Sequence, residues 1–208
     1  MGKKRIITIG RQFGSNGRNI GKLIAEKLGV QCYDKELLQI AAKNSGVCEE
    51  LLQNLDEKPN KSFLYSVVMD PYAFAYNFNN NNYTTNINQQ AFQATFDTIK
   101  DLAERESCVI VGRCSDYILR ERDDVLNVFI YAPLEARIKT VSERYPALTE
   151  NKIKDQITKE DKARASYYNY YSSKKWGKME SYHLSIDSSI LTIDKAADMI
   201  IEVFNNAD

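Results

Sequence analysis

Short apolar runs alternate along the chain with segments in which apolar residues recur at helical spacing. Residues 6–9 form a β-branched run that ends at Gly10, as expected for a buried strand. Four more runs have the same character and are predicted as strands, at 30–33, 108–111, 125–131 and 183–186. Strands that alternate with helices predict an α/β fold, in which a parallel sheet of about five strands is flanked by helices.

Segments between these strands carry the helical spacing. Their apolar positions predict helices over 20–28, 36–44, 89–106, 117–120, 133–144, 150–176 and 193–204. Gly29 and Gly46 follow two of these segments and are expected to end them, because glycine adopts the left-handed conformation at helix ends. Thr149 is a plausible N-cap for the long polar helix that begins at residue 150.

Residues 47–88 differ from this alternation and are predicted to form an insertion. Pro59 and Asn60 break the helical pattern, and an aromatic stretch follows over residues 63–78. An asparagine-dense run covers 77–88, and asparagine favours turns, so we expect a loop or a disordered tip there. The aromatic residues before it indicate packed structure and not a linker.

Composition restricts the classes of function. The chain has 208 residues, enough for one domain with a buried core, and its 28 basic and 28 acidic side chains balance. A neutral chain is a poor non-specific nucleic-acid binder, so no nucleic-acid partner is expected. No run approaches the ~20 apolar residues of a membrane span, and a short apolar run after the basic N-terminus argues against a signal peptide.

The four cysteines and the single histidine, His183, give no metal-binding spacing. Cys32, Cys48, Cys108 and Cys114 form no C-x-x-C pair, so a zinc site is not expected. We expect all four to be reduced thiols, which suits a cytoplasmic protein. A catalytic role for His183 is not expected either, since no partner motif lies near it.

Residues 10–19 lie between the first strand and the first helix and are the strongest candidate for a binding site. Their glycines let backbone N–H groups turn towards an anion, and a helix N-terminus favours negative charge. The match to the Walker A pattern is imperfect, because Gly17, Arg18 and Asn19 replace Gly-Lys-Ser/Thr and Gln12 replaces the first glycine. Arginine is a planar fork and not a compact ammonium. A glycine-rich turn without a ligand is the alternative interpretation.

Polar residues also follow the other predicted strands, at the edge where parallel sheets bind ligands. Asp34 follows the second strand and either binds a ligand or caps the next helix, whereas Arg113 is a stronger candidate. Asp161 and Arg164 lie three positions apart, and an exposed ion pair on one helix is the simpler explanation. The aromatic tract at 167–171 cannot all face one side of a helix. Both a base-stacking platform and a contact between subunits remain open for it.

Several motifs together resemble the cytidylate kinase-like family, a divergent bacterial branch of the P-loop nucleoside monophosphate kinases. The resemblance begins with residues 7–15, continues through Gly17 and Arg18, and includes residues 33–38. The segment 111–114 is similar to the Gly-Arg-Asp segment of cytidylate kinases, and 161–164 to their lid motif. The tract from Ser166 to Gly177 looks typical of the divergent branch.

The resemblance implies one P-loop kinase-like domain over 1–208, with an acceptor-binding insertion at 47–88 and a lid at 145–178. ATP is then the phosphoryl donor, Mg²⁺ the cofactor, and a nucleoside monophosphate such as CMP the default acceptor. The partners implied are small-molecule nucleotides, with no membrane and with a homo-oligomer through the tyrosine-rich segment as an option.

The resemblance also implies roles for individual residues. The donor phosphates would be cradled by Gly14, Ser15, Asn16, Gly17 and Arg18, with Asn19 beside Mg²⁺. Asp34 would lie near the acceptor phosphate or the metal, Arg113 would contact the acceptor, and Asp161 would lie near the acceptor ribose. The catalytic set would comprise Arg18, Asp34, Arg113 and Arg164.

Four positions depart from the pattern of true cytidylate kinases, namely Arg18, Asn19, Cys114 and Ile157. Cys114 stands in place of an aspartate, and Ile157 in place of a second lid arginine. A nucleotide-binding regulator without catalysis, and a kinase acting on a non-nucleotide metabolite, therefore stay open.

Overall fold

A five-stranded parallel sheet forms the centre of the protein. The computed structural model describes residues 5–55, 57 and 82–206. Its strands are β1 (Ile6–Arg11), β2 (Gln31–Tyr33), β3 (Cys108–Val111), β4 (Val125–Tyr131) and β5 (Leu184–Asp187). They pair in the order β2-β3-β1-β4-β5, and each pair is parallel. The predicted α/β fold of the P-loop NTPase type is confirmed.

Helices cover both faces of the sheet. They are α1 (Gly17–Leu28), α2 (Glu36–Ser45), α3 (Glu49–Leu55), α4 (Asn82–Arg105), α5 (Ser115–Ile118), α6 (Leu134–Arg144), α7 (Glu150–Ser172) and α8 (Ile193–Asn206), with a 3₁₀ turn at Met179–Ser181. Gly29 and Gly46 end α1 and α2 in the left-handed conformation, as predicted.

Alternate residues of β1 belong to two cores on opposite faces of the sheet. Ile7 and Ile9 pack with residues of α1 and α8, whereas Ile6 packs with residues of α2 and α4. Successive side chains of a strand point to opposite faces, so burial on both sides demands a continuous apolar run. This is the reason why the strands could be predicted from their composition.

Some predicted boundaries are wrong. Helix α3 was not predicted, and α4 begins at Asn82, inside the asparagine run that was expected to be a loop. The helix propensity of asparagine is below that of alanine by less than about 0.7 kcal/mol per residue, so a packed helix can extend through it. The rest of that run, the aromatic stretch and the Pro59 break lie outside the described residues.

The later helices also differ in detail from the prediction. Helix α5 begins at Ser115, two residues before its predicted start, and α7 ends at Ser172 and not near residue 176. Ser173 adopts a left-handed φ of 55°, which turns the chain out of the helix. Thr149 does precede α7, but its side chain makes no capping hydrogen bond. Within the described ranges, no helix has the length and apolar character needed to cross a membrane.

Candidate functional site

The loop between β1 and α1, residues 10–19, is called the glycine loop below. Gly14 has a φ of +82°, and a Cβ there would lie 2.9 Å from Cγ2 of Val141 on α6. A Cβ on Gly17 would lie 2.6 Å from the Cβ of Arg11. Asn16 is left-handed and directly precedes α1. Two of the glycines are therefore required by close packing, and the loop has a defined shape at a helix N-terminus.

Hydrogen bonds hold the glycine loop against the neighbouring strands. The Ser15 hydroxyl lies 2.9 Å from the carbonyl oxygen of Gln12 and 3.1 Å from that of Ile130. The Gln12 side-chain oxygen accepts the backbone N–H of Ala132 at 3.1 Å, and Ser188 donates to the Ser15 carbonyl. Gln12 stands where Walker A has its first glycine, and its amide links the loop to the end of β4.

Asp161 lies on α7 and binds the glycine loop. One oxygen of its carboxylate accepts the backbone N–H of Phe13 at 2.7 Å, and the other pairs with Arg137 at 2.5 Å. Arg137 also donates to the Phe13 carbonyl at 3.3 Å. Both oxygens of Asp161 are thus used to hold the loop. Its predicted contact with an acceptor ribose stays a prediction.

Arg18, Asp34 and Arg113 meet at the carboxyl edge of the sheet. The Asp34 carboxylate lies 2.5 Å from Nε of Arg18 and 3.6 Å from Nη1 of Arg113. Asp34 and Arg113 are buried, whereas 45% of the Arg18 side chain is exposed. Lys35 occupies the N-cap position of α2. The Asp34 carboxylate therefore pairs with the two arginines and does not cap the helix. Three of the four predicted catalytic residues are therefore in one cluster.

A second cluster surrounds Glu57 and is called the Glu57 cluster below. Its carboxylate lies 2.5 Å from Nη1 of Arg11 and 3.3 Å from Nε of Arg164, and it accepts the backbone N–H of Arg113 at 3.0 Å. Burial by itself would raise the pKa of the Glu57 carboxyl, but the charges of these arginines outweigh burial and lower it. Arg164, the fourth predicted catalytic residue, thus contacts Glu57 directly.

Arg164 does not form the simple helix pair with Asp161 that the sequence offered as an alternative. Asp161 pairs with Arg137, whereas Arg164 pairs with Glu57 and donates to the carbonyl oxygen of Arg11 at 3.3 Å. Burial, followed by the neighbouring charge of Arg11, lowers the pKa of the Arg164 guanidinium. The interpretation of Arg164 as a solvated surface residue is wrong.

Sequence reasoning missed Arg11 and Glu57. Arg11 directly follows Gly10 at the carboxyl end of β1, where ligands bind in this fold, and that position was the available signal. Glu57 lies in the predicted insertion, and no local pattern distinguishes it from Glu49 or Glu50.

One pocket joins the arginines to a group of aromatic residues. Arg11, Glu57, Arg113 and Arg164 line its polar end, and its aromatic residues are Tyr167, Tyr168, Trp176 and Tyr182. Such a pocket offers cations for an anionic group and rings for a flat or apolar one.

Asp116 anchors the aromatic side of this pocket. The hydroxyl of Tyr168 donates to its carboxylate at 2.6 Å, and burial raises the pKa of the Asp116 carboxyl. Burial, followed by the charge of Asp116, also raises the pKa of Tyr168. Cys114 is buried beside them with its pKa raised well above the ordinary value by desolvation. It offers no charge where cytidylate kinases are expected to have an aspartate.

The tyrosine tract packs largely within the chain. Tyr171 stacks on Phe92 of α4 with ring centroids 3.8 Å apart, and Tyr168 is buried. Trp176 meets Phe129 edge-on at 5.4 Å. Asn169 and Tyr170 are the exposed members of the tract, and 53% of Tyr170 is exposed. Base stacking and a contact between subunits both stay predictions.

The oxygens near the glycine loop fit a magnesium ion that is held mainly by nucleotide phosphates. Asn19 is exposed, and its amide nitrogen lies 3.4 Å from the Asn16 side-chain oxygen. The two oxygens of the Asp34 carboxylate are paired with Arg18 and Arg113. Among the described residues no group of three or more His, Cys, Asp or Glu side chains could hold a metal. Because Mg²⁺ takes one or two protein oxygens and completes its shell with phosphates and water, such a group is not required.

Unlike Cys114, both His183 and Cys108 lie outside the site described above. His183 is exposed on the chain that leads into β5, and its Nδ1 accepts the backbone N–H of Asn127. All four cysteines are free thiols, and Cys108 is buried in the sheet.

Comparison with known proteins shows that most of the chain is similar to cytidylate kinase-like proteins. A model of the cytidylate kinase-like family matches residues 6–190. A cytidylate kinase of Archaeoglobus fulgidus is 25% identical over 169 residues, which are 80% of this chain and 76% of that protein.

Solved structures share the architecture. An uncharacterized protein from Eubacterium ventriosum is 28% identical with a TM-score of 0.70, over 98% of this chain and 99% of that one. A shikimate kinase from Bacteroides thetaiotaomicron (14% identical, TM-score 0.55) covers 97% of this chain and 98% of its own. A shikimate kinase from Acinetobacter baumannii in complex with shikimate is 13% identical with a TM-score of 0.52. The match covers 99% of this chain and 96% of that one. At such low identity these two indicate the fold and not the substrate.

Proposed function

Because the chain belongs to the cytidylate kinase-like family, we propose that it transfers the γ-phosphoryl group of ATP to a small acceptor. The first candidate for this acceptor is a nucleoside monophosphate such as CMP. In that reaction an acceptor oxygen bonds to the γ-phosphorus, the bond from that phosphorus to the β–γ bridging oxygen breaks, and ADP leaves. Kinase relatives and a kinase fold support phosphoryl transfer in general.

Arginines that converge beside the glycine loop are the observation that carries the proposal. Arg18, Arg113 and Arg164 come from α1, the loop after β3, and α7, and contact two carboxylates at one edge of the sheet. The transition state of phosphoryl transfer spreads negative charge over three oxygens, so fixed cations stabilise it. Arg113 and Arg164 are largely buried, and all three arginines are held by carboxylates, so they supply cations without a large reorganisation.

The donor phosphates are assigned to the glycine loop and the N-terminus of α1. The loop has a defined backbone shape that Gly14 and Gly17 make possible, and Asp161 holds it at Phe13. Backbone N–H groups at a helix N-terminus favour an anion there. Arg18 is more exposed than Arg113 and Arg164. When ATP binds, Arg18 gives up part of its contact with Asp34 and contacts the phosphates instead. A bound Mg²⁺ would supply charge neutralisation beside Asn19 and Asp34.

The acceptor is assigned to the pocket between the arginines and the aromatic residues. Arg113 and Arg164 would face its anionic group, and Tyr167 and Trp176 would offer surfaces for a base. A nucleoside monophosphate has both features, a phosphate and an aromatic base. This match makes CMP and its relatives the first acceptors to test.

The decisive assay measures ADP release from Mg-ATP with CMP, UMP, AMP and GMP offered singly. We expect release that depends on one monophosphate and that falls by about 10²–10³-fold in Arg18→Ala, because a cation for the developing charge is lost. Lys22→Ala is the matched control, since Lys22 is exposed on the same helix and should retain wild-type turnover. Lack of acceptor-dependent release with every monophosphate would reject the nucleoside monophosphate assignment.

A second candidate is a kinase for a carboxylate-bearing metabolite. The Glu57 cluster favours it, because the arginines there already bind a carboxylate. Cys114 favours it as well, since it lacks the charge that the resemblance leads one to expect beside Arg113. Adding shikimate to the same panel as a hydroxylated carboxylic acid separates this candidate from the first.

A further inference from the structure

The carboxylate of Glu57 has the surroundings expected of a bound substrate anion. Its two oxygens contact Arg11 at 2.5 Å and Arg164 at 3.3 Å, and one of them also accepts the N–H of Arg113 at 3.0 Å. These donors come from β1, α7 and the turn after β3, so three distant parts of the chain meet on one carboxylate. The side chain of Glu57 is only 12% exposed.

The donor set is a good receptor for an oxyanion in general. Arginine presents a planar fork that matches carboxylate and phosphate, and a backbone N–H adds direction. Arg113 and Cys114 are both left-handed, with φ of 56°, and follow Gly112 at φ 79°, so the chain turns sharply at that N–H. Nothing in this geometry is specific to a glutamate side chain.

The charge of the competing anion also matters. Among the described residues, four arginines (Arg11, Arg18, Arg113 and Arg164) contact two carboxylates (Asp34 and Glu57). A dianionic phosphate monoester brings two negative charges, whereas Glu57 brings one. A dianion therefore competes well against Glu57 for the same donors.

We propose that Glu57 is an internal competitor, whose carboxylate occupies the place of the acceptor's anionic group and is displaced by that group on binding. The proposal rests on the proposed function in one respect, which is that the acceptor enters this pocket. It adds Arg11 to the acceptor site, and it defines the acceptor as a molecule with a phosphate or carboxylate group.

Two consequences follow from such a competitor. Before the acceptor binds, Glu57 keeps the buried arginines paired, and buried charges without partners are costly. When the acceptor binds, a neutral molecule cannot replace Glu57 in the ion pairs, so the exchange selects for anions. The same residue thus stabilises the empty site and rejects uncharged hydroxyl compounds.

The test is calorimetric titration with inorganic phosphate in the absence of ATP. We expect Glu57→Gln to bind phosphate at least about tenfold more tightly than wild type, because the amide is a weaker competitor. The control is Glu50→Gln, the same change at an exposed residue of α3, which should bind as wild type does. The double variant E57Q/R11Q should lose the gain, which assigns the tighter site to the Glu57 cluster and not to the glycine loop.

Equal or weaker binding by Glu57→Gln, or a gain that persists in the double variant, would overturn the proposal and make Glu57 a fixed support of the arginines. No turnover is involved, so this result is independent of the ADP-release assay.

Should the variant fail to fold, a crystal structure of the wild-type protein with sulfate decides the question. Sulfate bound to Arg11, Arg164 and the Arg113 N–H, with the Glu57 carboxylate moved away, supports the proposal. Glu57 still bound to the arginines at saturating sulfate contradicts it.

Discussion

The Asp161 carboxylate links α7 to the glycine loop. Phe13 and Asp161 are 148 positions apart, yet the N–H of the first donates to the carboxylate of the second at 2.7 Å. The other carboxylate oxygen pairs with Arg137. A residue that the resemblance assigns to the acceptor therefore holds the backbone of the glycine loop.

Asp161→Asn should weaken the donor site more than the acceptor site. The amide oxygen can still accept from Phe13, but the ion pair with Arg137 is lost, and hydrogen bonds to charged groups contribute about 1.5–3 kcal/mol. We expect the free energy of unfolding to fall by about that amount in urea denaturation, and the Kd of ATP to rise. Asp155→Asn, an exposed aspartate of α7, should change neither quantity. A higher KM for the acceptor with an unchanged Kd for ATP would instead favour the ribose contact.

Individual residues were predictable where a local position carries the signal. Arg18 lies in the glycine loop, Asp34 follows β2 and Arg113 follows β3. Each therefore lies at the edge where this fold binds ligands. Glu57 carries no such signal, because its importance comes from Arg11 and Arg164, which lie far from it in sequence. Charge partners of this kind require the folded structure.

At the scale of elements, the glycine loop depends on α6 as much as on its own glycines. A side chain on Gly14 would meet Cγ2 of Val141 at 2.9 Å and the carbonyl oxygen of Arg137 at 3.0 Å. Gly46, at the end of α2, has a similar positive φ of 72°, but a Cβ added there would meet nothing within 4 Å. Comparing substitutions at the two glycines therefore separates the effect of backbone strain from the effect of crowding.

Gly14→Ala should destabilise the protein more than Gly46→Ala. A left-handed alanine costs about 1–2 kcal/mol at either position, and crowding adds about 1–3 kcal/mol at Gly14 only. We expect the difference in free energy of unfolding to appear in urea denaturation, with loss of ATP binding in Gly14→Ala alone. Equal destabilisation of the two variants would show that α6 yields to the added methyl group.

Elements themselves were predictable to different degrees. The bounds of β4 were predicted correctly, because a run buried on both faces has a sharp composition. The start of α4 was not, since its first seven residues include three asparagines and two threonines. The helix is stabilised by the packing of later residues such as Ala91, Ala94 and Ile99. Tertiary packing outweighed local propensity there.

Over the whole molecule, four segments bring opposite charges into one buried site. Arg11, Glu57, Arg113 and Arg164 belong to β1, the segment after α3, the turn after β3, and α7. Burial opposes ionisation of Glu57, but the arginine charges prevail and hold its pKa below the ordinary value. Because the pKa of Glu57 is lower in the folded state than in the unfolded chain, its ionisation contributes to the free energy of unfolding.

The free energy of unfolding should depend on pH through the ionisation of Glu57. The unfolded chain takes up a proton near pH 4.3, whereas the folded chain does so only at lower pH. Glu57 therefore contributes stability that is present above the unfolded pKa and is lost as the pH falls through the folded pKa. Urea denaturation between about pH 5 and pH 3 should show a shallower decrease in the free energy of unfolding for Glu57→Gln than for wild type. Glu50→Gln should retain the wild-type dependence; parallel curves for all three proteins would contradict the assignment.

The sequence by itself determined the order of strands and helices, the glycine loop between β1 and α1, and the resemblance to a kinase family. These features depend on periodicity, burial on both faces of a sheet, and turn residues, all of which are local in the chain. Only the tertiary structure decided the pairings: Glu57 with Arg11 and Arg164, Asp161 with Phe13, and Tyr171 with Phe92. The physical reason is that a charge or a ring selects its partner by distance in space, and that distance is set by how separate elements pack on the sheet.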